Sequence, residues 1–128
     1  MDLKIKFEQW ADQAWVVWLH GSLDSLTDWD CQKELFALIE RGAKHVLLQM
    51  DGVKYISSSG LGVLFEVKKK LESNGGFFGV YKPQLAVQRV LQIVKMENME
   101  VTPANVENSN PFFAFIPKEE NKEEQTIQ

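Results

Sequence analysis

Leu3, Ile5 and Phe7 alternate with Lys4, Lys6 and Glu8, the two-residue period of a half-buried strand. Ala14 to Leu19 forms a second strand-like run after a turn near Asp12-Gln13, so the chain opens as a hairpin. The period then lengthens. Cys31, Leu35, Leu38 and Ile39 recur at helical spacing before Gly42 and predict a helix beginning at Thr27. Thr27 with Asp30 is placed as a capping box, and Leu26 with Cys31 as a hydrophobic staple.

Val46 to Met50 reads as a short apolar strand ended by Asp51-Gly52, with Val53, Tyr55 and Ile56 keeping the approach to Ser57 apolar. Leu61, Leu64, Phe65 and Leu71 then follow helical spacing, Lys68, Lys69 and Lys70 face water, and Asn74-Gly75-Gly76 supplies a stop. Phe77 to Tyr81 is another strand. Pro83 suits the first turn of a third helix whose inward face is Val87, Val90, Leu91 and Val94. Strands separated by helices predict an α/β sandwich in which the N-terminal hairpin is antiparallel and the central strands are parallel.

The tryptophans change this picture little. Trp15 and Trp18 are out of phase and point to opposite faces of their strand, which leaves one of them as a candidate contact residue. Near the end, Pro111-Phe112-Phe113-Ala114-Phe115-Ile116 is too apolar to be left in water. It reads as a short helix or an extended segment, and packing on its own domain is preferred to a partner or dimer contact. Residues 118–128 read as an acidic, disordered tail, leaving 1–117 as one domain.

With 128 residues and 45% hydrophobic content, the chain can bury roughly two thirds of the surface its unfolded form exposes. That suffices for one core without staples. Cys31, the single cysteine, excludes an internal disulfide and reads as a core residue. No segment reaches the roughly 18 apolar residues of a membrane span, and Met1-Asp2-Leu3-Lys4 does not open a secretion signal. The expected location is the cytoplasm. A net charge of −4 with lysines scattered among acids argues against nucleic acid and for protein partners.

The chemistry concentrates at Ile56-Ser57-Ser58-Ser59-Gly60-Leu61-Gly62, where three hydroxyls meet the start of a helix. One serine accounts for a cap. The other two have no such use, and two glycines in an opening helical turn cost about 1 kcal/mol each relative to alanine. A helix N-terminus tolerates added negative charge, so a phosphorylated hydroxyl is accommodated there. Enzyme readings fail. His20 and His45 are the only histidines, a Gly-x-Ser-x-Gly elbow is missing, and Gly60-Leu61-Gly62 lacks the lysine of a phosphate-binding loop. Neither catalytic residues nor a cofactor nor metal-ligand spacing is expected.

This motif resembles the signature of the STAS family, the bacterial anti-sigma factor antagonists. The likeness also takes in His20-Gly21-Ser22-Leu23-Asp24, Asn74-Gly75-Gly76, the Phe77 strand and the Pro83 helix, covering roughly Leu3 to Val101. It implies a mixed sheet of four to five strands packed by three to four helices. It further implies that Ser59, directly before Gly60-Leu61-Gly62, is phosphorylated by a GHKL-type serine kinase that is also the anti-sigma factor. Asp24, Ser57, Ser58, Gly60, Leu61 and Gly62 would form the partner-binding face, with Ser57 standing where many members carry aspartate. Asp24 is open to a second reading as a local turn cap. A serine phosphatase would reset the protein, ATP and magnesium belonging to the kinase, and a homodimer is left open. The alternative from another class is a structural or lipid-transport-associated STAS subunit that is never phosphorylated.

Overall fold

The computed structural model describes residues 2–116, and the tail expected over 118–128 lies outside the described residues. Strand β1 (Leu3–Ala11) turns into β2 (Ala14–Leu23), followed by α1 (Asp28–Glu40), β3 (His45–Ile56), α2 (Ser58–Ser73), β4 (Phe77–Tyr81), α3 (Leu85–Ile93) and β5 (Glu100–Val101). The sheet order is β1-β2-β3-β4-β5. β1 runs antiparallel to β2, and every later pairing is parallel. The predicted mixed α/β architecture is therefore present, with five strands and three α-helices among the described residues.

Strand alternation sorts the core into two layers. Trp15, Val17 and Leu19 of β2, Val46, Leu48 and Met50 of β3, and Phe78 and Val80 of β4 face the helices. There they meet Cys31, Leu35, Leu38 and Ile39 of α1, Val63, Leu64, Val67 and Leu71 of α2, and Val87 and Leu91 of α3. Residues of the opposite phase, including Val16, Trp18, Leu47, Phe77 and Tyr81, form a second layer on the other face. No helix covers it. The 111–116 segment does, burying Phe112 and Ile116 completely while Phe115 packs edge-on against Trp10 at 5.1 Å, Tyr81 at 6.0 Å and Trp18 at 6.1 Å between ring centroids. The Trp10 indole N–H closes the strap with a 3.0 Å bond to the Pro111 carbonyl. The Phe-rich segment thus packs on its own domain, as turns and not as a helix.

The stripe predicted for α1 is buried residue for residue. Burial in this apolar layer pushes the Cys31 thiol up to about 12, with Asp28 and Glu34 adding to the rise, so it is an inert core group. Trp15 and Trp18 do point to opposite layers, and both are partly covered; the exposed tryptophans are Trp10 and Trp29.

Six local expectations are corrected. β3 does not end at Asp51-Gly52 but runs on to Ile56. A Cβ at Gly52 would stand 2.6 Å from the His20 imidazole Nδ1, so this glycine serves close strand approach and not a turn. The capping box at Thr27 does not form, because its hydroxyl donates to the Ser22 carbonyl at 2.8 Å and accepts from the Asp24 amide at 3.0 Å. The staple fails with it, Leu26 being 75% exposed. Phe65 is 51% exposed, since the inward face of α2 is Gly60, Val63, Leu64, Val67 and Leu71. Pro83 precedes the third helix, which starts at Leu85 after Gln84, and Val94 lies exposed beyond its end.

Candidate functional site

Parallel pairing of β2 with β3 sets Leu23 opposite Ile56, which brings the ends of both strands to one edge of the sheet. The Ser57 amide donates to the Leu23 carbonyl at 3.0 Å, so the loop carrying Asp24 and the start of α2 are joined through the backbone. Gly60 makes that junction possible. A Cβ there would lie 2.6 Å from the Leu23 carbonyl oxygen and 3.0 Å from side-chain carbons of Leu23 and Ile56.

Ser57 is the cap. In extended conformation, its Oγ accepts the Gly60 amide at 3.1 Å and its carbonyl accepts the Leu61 amide at 2.9 Å. The same Oγ shares a 2.9 Å hydrogen bond with Ser59 Oγ. The three hydroxyls therefore differ: Ser57 and Ser59 are half-buried and tied to each other, while Ser58 is exposed on the first position of the helix. Leu61 is half-buried, packed against the helical core, and Gly62 faces water.

Asp24 is committed locally. Its Oδ1 accepts the Leu26 amide at 2.9 Å and approaches the Thr27 hydroxyl at 3.4 Å, and its carbonyl accepts the Thr27 and Asp28 amides at 3.1 and 2.8 Å. The residue thus performs the turn-capping work that was its second reading. It remains half-buried, one residue from the strand end that binds Ser57.

Between the opening turns of α1 and α2 lies a cleft of about 280 Å³ lined by Asp28, Trp29, Gln32, Ser59, Gly62, Val63 and Glu66. Of these lining residues Ser59 and Gly62 are predicted site residues, whereas Trp29, Asp28 and Glu66 are not. A signal for Trp29 existed, because it falls off the Cys31-Leu35-Leu38 stripe of its own helix and so cannot enter the core with it. A larger cleft of about 440 Å³ lies beside Phe77, Glu100 and Asn105, and none of the predicted site residues lines it. Among the described residues no group of His, Cys, Asp and Glu could hold a metal ion, and no helix is long and apolar enough to cross a membrane.

A mixed sheet with all three helices on one face, presenting a capped serine turn at the end of a parallel strand, defines a small α/β domain that displays hydroxyls beside a glycine-bared helix. The chain belongs to the STAS domain family, whose model matches residues 9–109. Over 61 residues it is 34% identical to a Thermotoga neapolitana protein that bears the name of an anti-sigma factor antagonist, an alignment covering 48% of this chain and 54% of that protein. The chain spans about half the length of the curated relatives it matches. The fold is similar to that of the anti-sigma factor antagonist SpoIIAA in its unphosphorylated form, with a TM-score of 0.71, 18% identity and coverage of 97% and 96% of the two chains. The phosphorylated form of SpoIIAA, a Bacillus cell fate determinant, matches at a TM-score of 0.66, 17% identity and coverage of 96% and 99%.

Proposed function

We propose that this protein is an anti-sigma factor antagonist, a binding module whose contact with an anti-sigma factor is controlled by phosphorylation in the serine turn. The observation that carries the reading is Ser58, an exposed hydroxyl on the first residue of α2, flanked by two serines that bond to each other. Position in the motif favours Ser59 as acceptor. Geometry favours Ser58, since Ser59 must first give up its bond to Ser57 and emerge from a half-buried site.

A phosphate adds about −1.5 to −2 charges. At the helix N-terminus it gains at most about 2 kcal/mol, whereas burying it unmatched in an interface costs several kcal/mol. The interface effect is larger. Phosphorylation therefore ends partner binding and leaves the domain folded. The kinase, of GHKL type and itself the anti-sigma factor, brings ATP and magnesium; a serine phosphatase resets the cycle, which runs in the cytoplasm. Support also comes from SpoIIAA, named in both phosphorylated and unphosphorylated forms and similar in fold to this chain in each.

The test is incubation with the cognate kinase and ATP, peptide mapping, and calorimetric affinity of the phosphoprotein beside its thermal melt. Phosphate chiefly on Ser58, lost affinity and a native-like melt are expected. Phosphate chiefly on Ser59 would restore the motif-based choice. Phosphoprotein that binds as tightly as before would favour the unswitched structural subunit. Asp24 is proposed as part of the partner face, and Asp24→Asn, which keeps an acceptor for the Leu26 amide, is expected to lower affinity while barely moving the melt.

A further inference from the structure

We propose that the cleft between the first turns of α1 and α2 receives an arginine side chain from the protein partner, held by Trp29, Asp28 and Glu66 over the bare backbone of Gly62. The inference rests on the partner-binding reading of the serine turn and adds the partner's chemistry to it.

Gly62 is the first observation. A Cβ built there meets no heavy atom within 4 Å, so the fold leaves room for any side chain. Glycine inside a helix costs about 1 kcal/mol relative to alanine, and nothing within the domain recovers it. Its consequence is an uncovered stretch of helix backbone that a visiting group can approach closely. Trp29 is the second. The indole is 66% exposed on a helix that buries four other residues, and it forms one wall of the same cleft. An exposed tryptophan beside unfilled space is the usual composition of a binding anchor.

Charge selects the occupant. Asp28 and Glu66 line the cleft with no lysine or arginine among its lining residues. The ion pair found among the described residues joins Lys68 to Glu72, and Lys70, a neighbour on α2, sits over the Phe36 ring instead. Asp28 also complements the dipole of α1, being in its first turn. Glu66 stands about one full turn beyond Gly62 on α2 and has no such use.

A guanidinium satisfies all three features at once. Its plane stacks on the indole, its N–H fork fits carboxylates, and its aliphatic stem lies over the glycine backbone. Lysine brings a point charge without the stacking plane, an apolar side chain would desolvate two carboxylates without pairing them, and an acid would be repelled. Ser58 is not among the cleft's lining residues, so the cleft selects the partner while the phosphate controls its release.

The experiment selects a displayed library of random linear peptides on the immobilised, unphosphorylated full chain and counter-selects on Gly62→Ala. Recovered peptides are expected to share an arginine, to bind Gly62→Ala, Trp29→Ala and the Asp28→Asn/Glu66→Gln double variant about tenfold or more weakly, and to lose most affinity when that arginine becomes lysine. Thermal melts confirm that each variant is folded. Peptides without arginine, equal binding to the chain and to Gly62→Ala, equal binding by the lysine version, or no selectable peptide would each overturn the proposal. No kinase enters this experiment, so its failure leaves the phosphorylation reading standing, and failure of that reading leaves the peptide result in place.

Discussion

Gly60 and Gly62 stand two residues apart on α2, yet a methyl group would press on the Leu23 carbonyl at one and meet nothing at the other. Two residues advance a helix by roughly 200°, so the two glycines lie on nearly opposite sides of it. The serines divide in the same way. Ser57 turns inward as the cap and holds Ser59, whereas Ser58 is left to solvent. One side of this turn serves the fold, by letting β2 and α2 close on each other. The other side, with Ser58 exposed and open space at Gly62, is left to solvent. A motif that looks uniform in sequence is thus two half-sites with different physical purposes, and substitutions separate them.

Gly60→Ala carries the largest expected effect. The added Cβ would require the Leu23 carbonyl, a backbone atom, to move, and the loop bearing Asp24 would move with it. Overpacking of this kind costs about 1–3 kcal/mol even after the helix-propensity gain of alanine, and chemical denaturation should show the midpoint fall. Stability equal to that of the unsubstituted chain would break the comparison at its inner half.

Ser57→Ala comes next, at about 1 kcal/mol, because the Gly60 amide loses its acceptor at the helix start. It also frees Ser59 from its partner hydroxyl. If Ser59 is disfavoured as an acceptor only by that bond, phosphate should shift toward it in Ser57→Ala. An unchanged phosphate distribution would mean that exposure alone sets the choice.

The order of elements from β1 to α3 was legible because these announce themselves through local period: alternation in β1, three-four spacing in α1, a Gly-rich stop after α2; the two-residue β5 has no such period and was not placed. The serine turn was legible for the same reason, being a compact run between two periodic segments. What escaped depends on contacts between distant parts of the chain. Asp51-Gly52 looks like a turn until β2 is laid beside it, and Thr27 looks like a cap until Ser22 and Asp24 claim its hydroxyl. The second core layer joins Trp10, Trp18 and Tyr81 to Phe115, across about a hundred residues in the case of Trp10. The cleft escaped likewise, since Trp29 and Gly62 belong to different helices. Which of three adjacent serines is exposed is a question of hydrogen bonding, and residue order does not answer it.

Gly62→Ala should act in the opposite direction from Gly60→Ala. The site is open and helical, so alanine fits without strain and stabilises by about 0.5–1 kcal/mol through helix propensity and lower unfolded-state entropy. The melting temperature should rise by a few degrees. A fall would show that the outer half of the turn is packed after all.

Ser58→Ala is the smallest expected effect on the fold and therefore the sharpest probe of the outer half. Its side chain is exposed, the Gly60 and Leu61 amides are satisfied by Ser57, and alanine is the better helix former. Stability should stay within about 0.5 kcal/mol of the unsubstituted chain. Kinase labelling, by contrast, should drop to the residue carried by Ser59. A variant indistinguishable in its melt but stripped of most of its phosphate labelling would separate switch from scaffold at a single atom. A destabilised Ser58→Ala would show that this hydroxyl also serves the fold, and one labelled as strongly as the unsubstituted chain would return the acceptor to Ser59 and place the functional hydroxyl on the inner, hydrogen-bonded side of the turn.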